Sequence, residues 1–238
     1  MTICFVKFSF SQEETRSKIF NFIIENENLE KNKIESRFVR LKKKPVLKNE
    51  TIVVIPIITF ENLEEIEKNY QMHIYIVDNK QLLIKSKLIL EESVSSDQII
   101  FLEEVEIDTA KYYLNYNTRA FGLKLTFAGG GSVDYVRYSE LSLFIEKSKT
   151  LKEILKGVKT QYDITSTSGS CEYAKCFDTK SVLLLTDNFT SNYKNIKIIS
   201  QETEYELNDD CETKINIRKK SKTHKTLKFN KKIKKYVL

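Results

Sequence analysis

The chain has no tryptophan, six glycines, two prolines, four cysteines and two histidines in 238 residues. Each scarcity excludes something. Without a Pro- or Gly-rich stretch there is no flexible linker of the usual composition. Two histidines and four cysteines make a poor metal inventory. Cys171 and Cys176 are separated by four residues with no second close pair, so a four-cysteine zinc site would need Cys4 and Cys211 to converge on them. Plain thiols in a reducing compartment explain the same residues, and no metal or cofactor is expected.

Long apolar runs are missing too. The longest aliphatic stretch, "IVVIPII" from Ile52 to Ile58, falls far short of the roughly 20 residues that span a bilayer. The opening "MTICFVKFSF" lacks the basic start and small-residue cleavage site of a secretory signal. The expectation is a soluble, intracellular protein without a transmembrane segment, cytoplasmic or, in a eukaryotic host, nuclear. Four alanines against 33 lysines and only six arginines suggest an AT-rich genome, such as a virus, a mobile element or a low-GC microbe.

What is present is ordinary for a folded chain: 41% hydrophobic and 30% charged residues. The length allows a substantial core. "TICFVKFSF" is dense in β formers and predicts a strand. Ser11 and Glu14 then form a capping box for a helix near 12–27, with Ile19, Phe20, Ile23 and Ile24 as its apolar stripe. "ESRFVRLKKKPV" and "TIVVIPIITF" predict strands, Pro56 arguing for an edge or a bulge in the second. A short helix is expected near 61–68 and a hairpin turning at Asp78 and Asn79. A run of short strands follows, from "QIIFLEEVEID" to "VDYVRYSELSLFIE".

Thr150 and Glu153 form a second capping box, and Leu151, Ile154, Leu155 and Val158 stand at helical spacing, so a helix is predicted near 150–160. "SVLLLTD", "NIKIISQETEYEL" and "TKINIR" return to strands. The fold class expected is α+β, β-rich and mainly antiparallel, with two or three helices. One globular domain over 1–218 would carry a basic segment over 219–238, itself able to form a short strand from Lys225 to Asn230.

The charge map is the clearest functional signal. Of 39 basic residues, 11 lie from Lys214 onward, beyond the last acid, Glu212. That leaves 28 basic against 33 acidic residues in 1–212, a balance of about −5. Codon bias acts along a whole gene and does not produce such a split. Beyond Arg218 the segment carries Lys219, Lys220, Lys222, Lys225, Lys228, Lys231, Lys232, Lys234 and Lys235. Lysines in such number attract polyanions without reading sequence, because each phosphate neutralised releases counterions.

Acidic residues also cluster. Glu104, Glu106 and Asp108 alternate along one predicted strand, and Glu202, Glu204 and Glu206 along another. These faces could hold Mg²⁺, seat the basic segment, or be plain solvated faces. A hairpin joining "ETEYEL" to "TKINIR" would set Glu206 opposite Lys214 and Glu202 opposite Arg218. Glu212 and Lys214 also spell the Glu-x-Lys of restriction-type nucleases, with Asp187 as the preceding acid. Gly129, Gly130 and Gly131 form a hairpin tip rather than a phosphate loop, since no Gly-Lys-Ser/Thr ending or helix follows. Tyr112, Tyr113 and Tyr116 near Arg119, and Tyr135 and Tyr138 around Arg137, could stack bases but equally suit sheet packing.

Taken together, the residues point to a non-enzymatic protein that associates with DNA or RNA through its C-terminal lysines. The alternatives are a structural, self-assembling protein (a homo-oligomer) whose basic segment docks on acidic strands, and a metal-dependent nuclease.

Overall fold

The structure, a computed structural model, describes residues 3–238 apart from 46, 48, 63, 65–66, 92–93, 98, 132–133, 167–174 and 208–213, with side chains from residue 13 on, those of 214–216 excepted. The chain gathers into two compact units. The first comprises Met1–Asn62, Lys68–Val94 and Glu146–Leu151, and the second Leu63–Glu67, Ser95–Ile145 and Lys152–Leu238.

In the first unit a helix, α1, spans Ile3–Asn26. The strand expected in "TICFVKFSF" does not form. No glycine or proline interrupts Ile3 to Asn26, so the helix runs through the predicted strand and its capping box. The side chains of 3–12 lie outside the described residues. Glu14 pairs with Lys18 one turn on, at 2.7 Å. The helix ends where Asn28 takes a left-handed φ of 52° and the Leu29 N–H reaches the Ile24 carbonyl.

The predicted stripe holds. Ile19 and Ile23 are buried against Val53, Ile55, Tyr75 and Val77 of a sheet built from β1 (Arg40–Lys43), β2 (Glu50–Asn62), β3 (Glu67–Asp78) and β4 (Leu83–Ile89), in that order. A short β5 (Val94–Ser96) also pairs β3. β2 lies between β1 and β3; β1 covers it only from Thr51 to Val54, so Pro56 stands beyond that ladder, where its carbonyl accepts the Glu35 N–H at 3.1 Å. The expected hairpin at Asp78 and Asn79 is present: β3 pairs β4 antiparallel, and Asp78 Oδ1 accepts the N–H groups of Lys80 and Gln81.

Among the described residues of 61–68 no helix forms; 63, 65 and 66 lie outside them. Glu61 and Asn62 finish β2, Glu67 and Lys68 begin β3, and a Lys68–Glu61 ion pair of 2.7 Å ties the two strand ends. Eight residues lack the length to nucleate a helix against two long flanking strands.

A charged network lies at the start of β2. Glu50, with its side chain 5% exposed, receives Lys44 at 2.8 Å and Lys85. Lys44 also meets Glu146 at 2.6 Å, whose second oxygen accepts the Ser86 hydroxyl at 3.0 Å. Nearby on β3, His73 is buried, with Nδ1 bonded to the Tyr75 hydroxyl at 3.1 Å and Nε2 to Gln71 at 3.2 Å.

Burial holds the His73 pKa below its usual value, as does Lys87, while Glu27 pulls it up. Its pH dependence follows. Below about pH 6.5 the unfolded chain takes up a proton that native His73 refuses, so stability falls with pH from there until the lowered native pKa is passed. Urea midpoints at pH 7.5 and 5.5 should therefore converge in a His73→Gln variant relative to the parent; an unchanged gap would refute this.

The second unit is an antiparallel meander: β6 (Ile100–Asn115), β7 (Thr118–Gly130), β8 (Asp134–Lys147), β9 (Thr150–Ser166), β10 (Lys175–Thr190), β11 (Tyr193–Leu207), β12 (Lys214–Asn230) and β13 (Lys235–Val237), hydrogen-bonded in sequential order. Thus the third predicted helix, near 150–160, is a strand. Ser148 and Lys149 both have positive φ, 52° and 63°, and Thr150 donates to the Lys147 carbonyl at 2.7 Å. This is the two-residue hairpin turn whose twist matches its strands. Thr150 closes a hairpin instead of capping a helix. Gly157 in β9 has a left-handed φ of 55°, which a residue with a Cβ would adopt only with strain.

The sheet curls. Leu114, Leu143, Ile154, Ile196, Phe229 and Tyr236, from its two ends and its middle, share one core. β6 touches β11, and the Asn115 amide donates to the Asn192 carbonyl at 3.1 Å. Residues 219–238 lie within this sheet. Fold class is as expected, β-rich with antiparallel sheets, but with one α-helix and two single-turn 3₁₀ segments among the described residues instead of two or three helices. Among them, no helix is long and apolar enough to cross a membrane.

Candidate nucleic-acid interface

β12 begins well before the short strand expected at 225–230. It pairs antiparallel with β11 from Lys214 to Leu227, and β13 covers its other edge only from Lys228 to Asn230. The hairpin joining "ETEYEL" to "TKINIR" is present, with its turn outside the described residues, but the register differs. Glu206 stands opposite Ile215, Lys214 opposite Leu207, and Glu202 opposite Ser221. Three residues of β12, 216–218, bulge against Tyr205 alone, and this offset brings Arg218 to Glu206.

Pairing sorts the charges onto two faces. Directly opposed residues share a face, and faces alternate along each strand. On one face Glu202 accepts the Ser221 hydroxyl at 2.9 Å, and Glu204 lies opposite Lys219. Farther along it Ile198, Ile196, Leu227 and Phe229 enter the core. The lysines on the other face point away from that core. There Lys180, Gln201 and Lys222 form one row across β10, β11 and β12. Val182, Ile199 and His224 form the next, and Leu184, Lys197 and Thr226 the third.

Rows stand about 7 Å apart and strands about 4.8 Å. None of the three rows contains an acid. Lys180, Lys222, His224 and Thr226 are exposed, Lys197 and Ile199 half-buried. Lys220 and Lys228 extend the face one step in each direction along β12; the Lys220 row also holds Thr203 and the buried carboxylate Asp178. Beyond it, Asn230 Oδ1 accepts the Lys232 N–H at 2.9 Å and shapes a turn that exposes Lys231, Lys232 and Lys234.

Of the nine lysines singled out from sequence, Lys235 is paired, with Glu153 at 2.9 Å. The other eight are exposed, and none of them has an ion pair among the described residues. Lys219 and Lys225 lie on the opposite face from Lys220, Lys222 and Lys228. Lys180 and Lys197 were missed by sequence reasoning because only strand pairing brings them beside the C-terminal segment.

The other candidates do not assemble. Asp187 sits near the β10–β11 turn, paired with Lys194 at 3.1 Å, whereas Lys214 is opposite Leu207 at the far end of β11. At about 3.3 Å per residue, some 40 Å separates them; the Glu212 and Lys214 side chains lie outside the described residues. Among the described residues no group of three His, Cys, Asp or Glu is placed to hold a metal ion. Cys176 is buried, while Cys4, Cys171 and Cys211 fall outside the described side chains. Asp108 accepts the Tyr112 hydroxyl at 2.6 Å, and Glu106 lies 4.0 Å from Lys124.

Gly129 and Gly130 serve close packing: a Cβ there would sit 1.8 Å from the Ile99 carbonyl oxygen and 1.9 Å from that of Asp134. Arg119 lies over the Tyr113 ring and bonds the Thr109 carbonyl, and Arg137 is held by Glu103 at 2.7 Å. A cleft of about 290 Å³ in the first unit is lined by Phe22, Glu27, Ile84, Lys85, Lys87 and Lys149, and Lys85 and Lys87 already pair with Glu50 and Glu27. Compared with known protein families, curated proteins and solved structures, the chain matches none.

Proposed function

We propose that this chain is a non-enzymatic nucleic-acid-associated protein that holds phosphate backbone, without sequence preference, on the lysine face of β10–β12 and the adjoining turn. The observation that carries it is the set of three acid-free rows holding Lys180, Lys197 and Lys222, with Lys220 and Lys228 beyond them along β12. Exposed lysines on an uncovered strand edge have a competing use, since they deter pairing with another chain. That explains lysines on β12 but not those on β10 and β11, which are interior strands.

Specific pairings favour a second reading, docking of the basic segment on the chain's own acids: Arg218 on Glu206, Ser221 on Glu202 and Lys235 on Glu153. It accounts for those residues and leaves the outer-face lysines unexplained.

The test is charge removal. Lys180, Lys197, Lys220, Lys222 and Lys228 changed together to Gln should leave the thermal transition in place, since none is in the core. The slope of log affinity against log salt for mixed-sequence nucleic acid should flatten by about 3.5–4.5, at roughly 0.7–0.9 for each phosphate no longer neutralised. An unaltered slope would sink the reading.

A further inference from the structure

Resting on that reading, we infer that the ligand of the lysine face is single-stranded rather than duplex nucleic acid. Two features of the face carry this. The first is its middle, which is not basic: Val182 is 54% exposed and Leu184 48%, with half-buried Ile199 beside them. Lys180 and Lys222 flank this strip on one side, and Lys197 interrupts it on the other.

Phosphates alone would leave that apolar strip facing charge or water. A single strand offers both chemistries at once, phosphates for the ammonium groups and unpaired base faces whose apolar surface can cover the aliphatic side chains. A duplex buries its base faces in its own stack and presents phosphates and groove edges.

The second feature is curvature. The core of this unit draws on strands from both ends of the sheet, and β6 touches β11, so the sheet curls around that core. The lysine face is on the outside of the curl and is convex. A duplex with a persistence length of about 50 nm meets a convex surface along a short line only. A single strand drapes over it and reaches lysines on three adjacent strands. The aliphatic strip ends on β12 at the exposed imidazole of His224, a single ring with no partner ring in the three rows, so strong discrimination among bases is not expected; the preference is for strandedness.

Labelled 20-nucleotide single strands of mixed sequence and the matching duplexes, titrated at the same salt, provide the test. The single strand is expected to bind about tenfold tighter, the worth of roughly 55 Å² of apolar surface covered. Val182→Ser with Leu184→Ser, at exposed positions whose loss spares the core, should erase most of that preference and change duplex affinity less than about twofold. Equal affinity for both forms, or an unaffected preference in the double variant, overturns the single-strand inference and leaves polyanion binding standing. Binding of neither form overturns both. Tighter binding to vesicles containing anionic phospholipid than to either nucleic acid would reassign the face to a membrane surface and overturn both as well.

Discussion

Truncation after Arg218 is expected to destroy the cooperative fold of the eight-stranded unit, even though the sequence presents residues 219–238 as a dispensable basic tail. The segment supplies Leu227, Phe229 and Tyr236 to the core, each 6–7% exposed. Phe229 packs edge-on against Tyr193, with ring centroids 4.5 Å apart, and against Tyr236 at 5.3 Å. The Tyr236 hydroxyl donates to the Lys194 carbonyl at 2.7 Å, so its loss also strands a partner on β11.

Phe229→Ala alone should cost about 3–5 kcal/mol, a large share of the roughly 5–15 kcal/mol that holds an ordinary domain. Removing all three residues together with the β12 ladder should exceed that margin. Chemical denaturation followed by circular dichroism and hydrogen exchange would check it. If residues 1–218 unfold cooperatively at the parental midpoint, Leu227, Phe229 and Tyr236 do not hold the sheet. The deletion is also a poor probe of nucleic-acid binding, because weaker affinity would follow from unfolding; charge substitution avoids this.

Glu50→Ala should be the most damaging single change in the charged network of the first unit. Glu50 is the acceptor shared by Lys44 and Lys85; its removal leaves Lys44 with Glu146 and takes away the ion pair of Lys85. Breaking a buried pair from one side costs about 3–5 kcal/mol. The lower end is expected here, because Lys44 is 20% and Lys85 37% exposed and both retain some water.

The pH dependence separates charge from packing. Burial alone would raise the Glu50 pKa, but hydrogen bonds from Lys44 and Lys85 outweigh it and hold the carboxyl below its usual 4.5. A lowered native pKa contributes stability in full above about pH 4.5, and that contribution is lost as pH falls through the native value. Glu50→Gln, which keeps the shape, should therefore lose most stability near neutral pH and approach the parent in acid. A destabilisation that stays constant down to pH 3 would mean that volume, and not charge, is what Glu50 supplies.

By itself the sequence determined the β-rich class, the hairpin at Asp78, the apolar stripe of Ile19 and Ile23, and a charge map with its cations at one end. These depend on alternation, turn chemistry and composition, which act between near neighbours. Local signals failed where two structures share one pattern. Leu151, Ile154 and Leu155 suit a helix by spacing, and the hairpin turn at Ser148 and Lys149 has no glycine or Asn-Gly to announce it. The first turns of α1 were mistaken for a strand because β propensity is a weak preference that a long uninterrupted helix overrides.

The site was legible only as a set of lysines. Which of them share a face depends on the pairing of β10, β11 and β12, including a bulge at 216–218 that no local rule predicts. Tertiary structure alone decided that Lys180 and Lys197 join Lys222, that Arg218 is held by Glu206 instead of Glu202 and Lys235 by Glu153, and that Phe229 and Tyr236 fasten the basic segment into the sheet. The reason is physical: strand pairing couples residues tens of positions apart through backbone hydrogen bonds, and those bonds are blind to the side chains they bring together.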